Sequence, residues 1–131
     1  MRTTATLLAI ISVFAMWRPA ASDESQIMTV AQLAAKCSTS DASAAAFCLG
    51  LTTGVLTQLQ ANGNIYMAGR LGDDARNALQ LAGAACSAVE PKLALRAFIR
   101  WAELHPERRD WNGISGVAAA IRQAWPCKEH L

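Results

Sequence analysis

Apolar residues recur at three- and four-residue steps through most of the chain, the repeat of helices that bury one face. Thr29 followed by Gln32 has the spacing of a capping box and predicts a short first helix, VAQLAAKC, ending near Cys37. The polar run Ser38 to Asp41 breaks it. A second helix is predicted from Asp41 or Ser43 to about Ala61, with Phe47, Leu51, Val55 or Leu56, and Leu59 as its core stripe. Asn62 and Gly63 are expected to close that helix in a left-handed conformation, leaving Asn62 to Gly72 as a loop. Asp73 and Asp74 then place negative charge at the positive end of a third helix. Its polar side would carry Arg76, Asn77, Gln80 and Gly83, and its apolar side Leu71, Ala75, Leu79 and Ala82.

The fourth helix has the clearest pattern. Lys92, Arg96, Arg100, Glu103 and Glu107 repeat every three to four residues and leave Leu93, Ala97, Phe98, Trp101 and Leu104 on the opposite face. Pro91 suits its first turn, and Pro106 should stop it, because the residue before a proline disfavours helical geometry. A last helix from about Gly113 to Ala124 presents Ile114, Val117, Ala118, Ile121 and Trp125 to a core and ends at Pro126. The short turn HPERRDWN, His105 to Asn112, should fold these two helices into an antiparallel hairpin. Gly50 and Gly54 are spaced to let another helix approach the second one.

Composition adds an address and a class. Arg2 precedes the stretch Ala5 to Trp17, which is too short for a bilayer core needing about 20 residues and right for the apolar region of a signal peptide. Small residues follow, so residues 1–22 read as a cleaved signal, cut after Ser22 or Ala21, and 23–131 as a single helical domain. The mature part, roughly 109 residues, lies at the low end of the single-domain range. Of 12 basic residues Arg2 and Arg18 lie in the signal, leaving ten to balance the 10 acids. A neutral domain without a basic run offers no footprint for nucleic acid or an anionic membrane once the signal is removed. Abundant Ala and Leu with few aromatics disfavour a β sandwich, so the expected fold is all-α, a small bundle of four to five helices.

All four cysteines, Cys37, Cys48, Cys86 and Cys127, lie in the mature part, and an even count in a small exported domain reads as two disulfides. Four cysteines allow three pairings. The hairpin favours Cys86 with Cys127, which lie just beyond its helix ends, leaving Cys37 with Cys48. Spacings of 11, 38 and 41 contain no zinc-ligand pair, and His105 and His130 do not flank a cysteine closely. Neither metal nor cofactor is expected. Grouped carboxylates and a Cys–His arrangement are missing as well, so the reading is a protein without catalytic residues. His105, before the helix-stopping proline, suits a partner of the helix C-terminus, and His130 falls in the tail.

FCLGLTTGV (Phe47 to Val55), ELHPERR (Glu103 to Arg109) and AWPC (Ala124 to Cys127), in that order and with the four cysteines, resemble the Rap/Tai family of immunity proteins of type VI secretion systems. The resemblance spans Leu33 to Cys127. It implies an exported, periplasmic, all-helical, disulfide-bonded inhibitor that blocks a peptidoglycan-cleaving amidase effector. Cys37, Cys48, Cys86 and Cys127 match the family's structural cysteines, Gly50 and Gly54 its helix glycines, and Pro106, Glu107 and Arg108 its turn. Two departures stand out: Ser87 to Glu90 precede Pro91 where the family has a proline soon after the third cysteine, and the segment Asn62 to Ala85 is longer.

For such an inhibitor a pre-ordered loop loses little entropy on binding. Ile65, Tyr66 and Met67, on the expected loop Asn62 to Asp74, are the first candidate contacts, with folding back over the core as their other role. Arg108, Arg109 and Trp111 form a second set, with Trp111 expected foremost to cap the core. A homodimer is a further possible assembly. The alternative functions are an acid-activated periplasmic chaperone of the HdeA type and an orphan helical scaffold; ten acids against ten bases would allow a large charge change in acid.

Overall fold

Thr29 and Gln32 form the capping box that their spacing predicts: Gln32 N donates to Thr29 Oγ1 at 3.3 Å, and Thr29 N donates to Gln32 Oε1 at 2.9 Å. They start α1, Val30–Cys37. This is a computed structural model, and it describes residues 28–127; the expected signal peptide and His130 lie outside the described residues. A helix start leaves backbone N–H groups without intrahelical partners. Here Val30 N donates to Trp111 O at 2.8 Å and Ala31 N to Arg109 O at 3.0 Å, while Gly113 N donates to Met28 O at 2.7 Å. The start of α1 is thereby bound to the turn between the last two helices.

Asp41 caps α2, Ala42–Met67, by accepting from Ala44 N at 2.7 Å. The predicted end at Ala61 is wrong, since α2 runs on through Asn62 and Gly63 to Met67 and the expected loop begins only after it. Gly63 is not a cap but a point of close approach: a Cβ there would overlap the carbonyl of Ala85 and lie 3.3 Å from Cys86 Sγ. The segment after α3 can therefore run along α2, where Ala85 N donates to Leu59 O at 2.9 Å and Asn62 Nδ2 to Gly83 O at 2.8 Å. Gly50 and Gly54, expected to admit a neighbouring helix, face open space instead. The buried face of α2 is Ala44, Cys48, Thr52, Leu56, Leu59, Gly63 and Tyr66. Phe47, expected in the core, is 42% exposed and lies under the Lys36 ammonium at 4.8 Å.

By length and mean hydropathy α2 would suffice to cross a bilayer. In this structure it packs against α1, α4 and α5, as a core helix of a bundle does.

The third helix, α3, Asp73–Ala82, packs chiefly against α2 and ends at Gly83. Its expected sides are partly exchanged: Ala75 and Ala82 are exposed, whereas Arg76, placed on the polar side, is half-buried with its guanidinium over the Tyr66 ring. The helices α4, Pro91–Leu104, and α5, Gly113–Ala124, have their predicted bounds and form the expected hairpin through a 3-10 turn, Pro106–Arg108. Asn112 Oδ1 caps α5 by accepting from Ile114 N and Ser115 N.

The core lies among α1, α2, α4 and α5, with Val30, Leu33, Leu56, Phe98, Val117 and Ile121 at its centre. Burial of Phe98 alone removes enough apolar area to contribute about 1.5–3 kcal/mol. Leu93, Leu104 and Ile114, expected inside, are exposed, Leu104 by 65%. The α4 stripe is narrower than its pattern suggests, because Ala94, Phe98 and Trp101 already fill the contact.

Disulfides join Cys37 to Cys48 and Cys86 to Cys127. The first ties α1 to α2; the second ties the segment beside α2 to the end of α5. The architecture is an all-α bundle of five helices held by two disulfides.

Candidate functional site

The continuation of α2 past Gly63 brings Tyr66 beside the end of α4, the α4–α5 turn and the last turns of α5. A groove of about 530 Å³ forms there, lined by Tyr66, Trp101, His105, Arg108, Trp111 and Arg122, with Cys127 at one edge. Members of the two predicted contact sets, Tyr66 from one and Arg108 and Trp111 from the other, thus meet in one cleft.

The remaining predicted residues do not join it. Ile65 and Met67 are about half exposed on the last turn of α2 and do not line the groove; neither they nor Tyr66 stands on a loop. Tyr66 itself is buried, its ring forming part of the groove wall. The Arg109 side chain points to solvent near Asp110 at 3.9 Å, while its carbonyl holds α1. Trp111, expected to cap the core, is 41% exposed and carries the Arg108 guanidinium 3.8 Å over its ring.

Each groove residue is held by its own element. Trp101, on the last turn of α4, donates from Nε1 to Gln123 Oε1 on α5 at 2.8 Å, so a polar bond orients an aromatic ring across the hairpin. His105, the residue after α4, lies against Trp101 with ring centroids 4.7 Å apart and planes tilted by 36°. Its Nδ1 lies 2.8 Å from Glu107 Oε1. That bond, with smaller help from the Glu107 backbone and the charges of His105 and Arg108, holds the Glu107 carboxyl below the usual carboxylate range. Arg122 extends from α5 toward Gly83, whose φ of 94° favours glycine and whose missing side chain leaves space for the Arg122 stem.

The chemistry on offer is recognition. Aromatic faces and guanidinium N–H groups dominate, the pairing enriched where proteins bind proteins. Every cysteine is in a disulfide, so no thiol is available as a nucleophile. Among the described residues no group of three His, Cys, Asp or Glu is placed to hold a metal.

Sequence reasoning missed Trp101, His105, Arg122 and Gln123 as groove residues. Periodicity assigned Trp101 to the core, where its ring does largely sit, and it carries no signal that the ring's edge borders a cleft. Arg122 and Gln123 were legible only as the polar side of α5.

No curated protein and no solved structure matches the chain. A family model for Rap1a immunity proteins matches residues 29–127, from the capping threonine of α1 to the last cysteine. The match includes all five helices and both disulfides, and the chain belongs to the Rap1a immunity protein family.

Proposed function

We propose that this chain is a periplasmic immunity protein that binds and inhibits a peptidoglycan-degrading amidase effector of a type VI secretion system, without catalytic activity of its own. Family membership supports binding to a secreted effector. The observation that carries the choice of surface is the groove in which Tyr66, Arg108 and Trp111 converge. Its walls are fixed before any partner arrives: one edge is tied by Cys86–Cys127, and the turn carrying Arg108 and Trp111 is bonded to the start of α1. A surface ordered in advance loses little conformational entropy on association. Disulfides fit an oxidising compartment such as the periplasm, which is also where an amidase meets its peptidoglycan substrate.

The test is protection of cells. A type VI amidase directed to the periplasm lyses the producing cell; co-expression of the full chain with its cognate amidase is expected to restore growth, and Trp111→Ala to weaken protection. Lysis unaffected by the chain across a panel of type VI amidases would overturn the proposal. Suppression of client aggregation only in acid would replace it with the chaperone reading.

A further inference from the structure

We propose that the groove receives an acidic loop of the amidase, an Asp or Glu carboxylate clamped by Arg108 and Arg122 above the aromatic walls; this clamp rests on the reading of the groove as the effector site. Two guanidiniums line the cleft, Arg108 on Trp111 at 3.8 Å and Arg122 on its α5 side, while a third, Arg76, lies over the Tyr66 ring at 5.6 Å without lining it. One carboxylate, Glu107, lines it. Its Oε1 is already engaged by His105 at 2.8 Å and stands 3.7 Å from Arg108 Nε, beyond hydrogen-bond range. Arg122 has no carboxylate within 4.0 Å among the described residues. The cleft therefore holds positive charge in excess of its own acids.

Stacking explains why the excess is directional. A guanidinium held over an indole ring, as Arg108 is at 3.8 Å, satisfies no N–H donor on that ring and leaves its fork for a carboxylate that can accept two donors at once. Trp111 fixes Arg108 before the partner arrives, so less rotamer freedom is lost on pairing. The occupant is a protein loop because Tyr66, Trp101 and Trp111 offer apolar contact that a free anion would leave uncovered. Opposite charge across the interface also steers encounter and makes association depend on salt.

The experiment uses the full chain, exported and oxidised, with whichever purified type VI amidase it captures. Affinity is measured by titration calorimetry at low and high salt for wild type, Arg108→Gln, Arg122→Gln, Arg108→Lys and Arg96→Gln, each checked for an unchanged thermal melt. Losing a charge-assisted pair is expected to weaken binding about tenfold to a hundredfold in Arg108→Gln and in Arg122→Gln. Arg108→Lys should fall between these and wild type, because it keeps the charge but loses the fork and the stack. Arg96→Gln, which removes the same charge away from the groove, should bind as wild type. Replacing the effector's acid should erase the difference between wild type and Arg108→Gln.

Equal affinity of all variants for an amidase that wild type captures would overturn the clamp and leave the effector reading standing. A second copy of the chain in the groove, seen as a dimer that Arg108→Gln dissociates, would overturn it too. Capture of no amidase by wild type would overturn the effector reading and the clamp together.

Discussion

Two glycines of the same helix should respond to alanine with opposite signs. Gly63 and Gly50 are both interior to α2, and replacing a helix-interior glycine gains about 0.5–1 kcal/mol through backbone entropy alone. At Gly50 nothing lies within 4 Å of the new methyl, so Gly50→Ala should stabilise the protein by about that amount. At Gly63 the methyl would overlap the backbone carbonyl of Ala85. Backbone cannot rotate away as a side chain can, so the segment 83–87 must move off α2. Overpacking costs roughly 1–3 kcal/mol, and strain on the bonds from Ala85 N and Asn62 Nδ2 puts about 1 kcal/mol at risk in each. After subtracting the helix gain, Gly63→Ala should destabilise by about 2–4 kcal/mol. For a domain of this size each kcal/mol shifts Tm by about 4–8 °C, so a loss of roughly 10–30 °C is expected. Urea and thermal unfolding of the oxidised protein read both values. A Gly63→Ala protein as stable as wild type, or a Gly50→Ala protein clearly less stable, would refute the packing of the 83–87 segment on α2.

In the chain-entropy model the disulfides closing loops of 11 and 41 residues contribute about 3 and 4 kcal/mol, so Cys37→Ser/Cys48→Ser should cost somewhat less than Cys86→Ser/Cys127→Ser in urea unfolding. Only the second pair borders the groove, so its removal should also reduce effector affinity when measured on the folded fraction. Asn112→Ala removes the acceptor for Ile114 N and Ser115 N and should destabilise by about 1 kcal/mol. The Glu107 carboxyl is depressed in the fold, so its contribution is present above the ordinary value of 4.5 and is lost as pH falls through the lower folded value. Glu107→Gln should accordingly flatten the acid limb of stability against pH below 4.5 and leave its shape near neutrality unchanged.

The helices α1, α4 and α5 were legible in the sequence because each carries its own punctuation: the Thr29–Gln32 capping box, the paired prolines Pro91 and Pro106, and Pro126 at the end of α5. The hairpin of α4 and α5 was enough to favour the observed cysteine pairing. The length of α2 was not legible, because Asn62–Gly63 reads locally as a helix stop, and only the approach of the distant Ala85 explains a glycine inside a helix there. The face of α2 was misjudged for a related reason. Apolar residues lie all round this helix, so periodicity cannot choose among stripes. The usable signal was Cys48: a disulfide to Cys37 must point its side chain toward α1, and the positions at helical steps from it, Thr52, Leu56, Leu59, Gly63 and Tyr66, are the buried ones.

The groove was hidden by these two misreadings. Its residues come from the end of α2, the end of α4, the turn and the last turns of α5, which are distant in sequence. Tyr66 and Trp111 could be singled out as aromatic residues near predicted loops, but their meeting depends on α2 extending to Met67. Arg108 was legible as part of the turn; its stacking on Trp111 was not.

On the proposed reading this groove is the surface through which the chain silences an effector. That role can be read from a titration of peptidoglycan hydrolysis by the captured amidase with the oxidised chain, wild type beside a folded Arg108→Gln/Trp111→Ala variant. Hydrolysis is expected to fall to background at one chain per amidase with wild type, and the variant should require a large excess. Inhibition by the variant at the same stoichiometry and affinity would contradict the assignment of the groove.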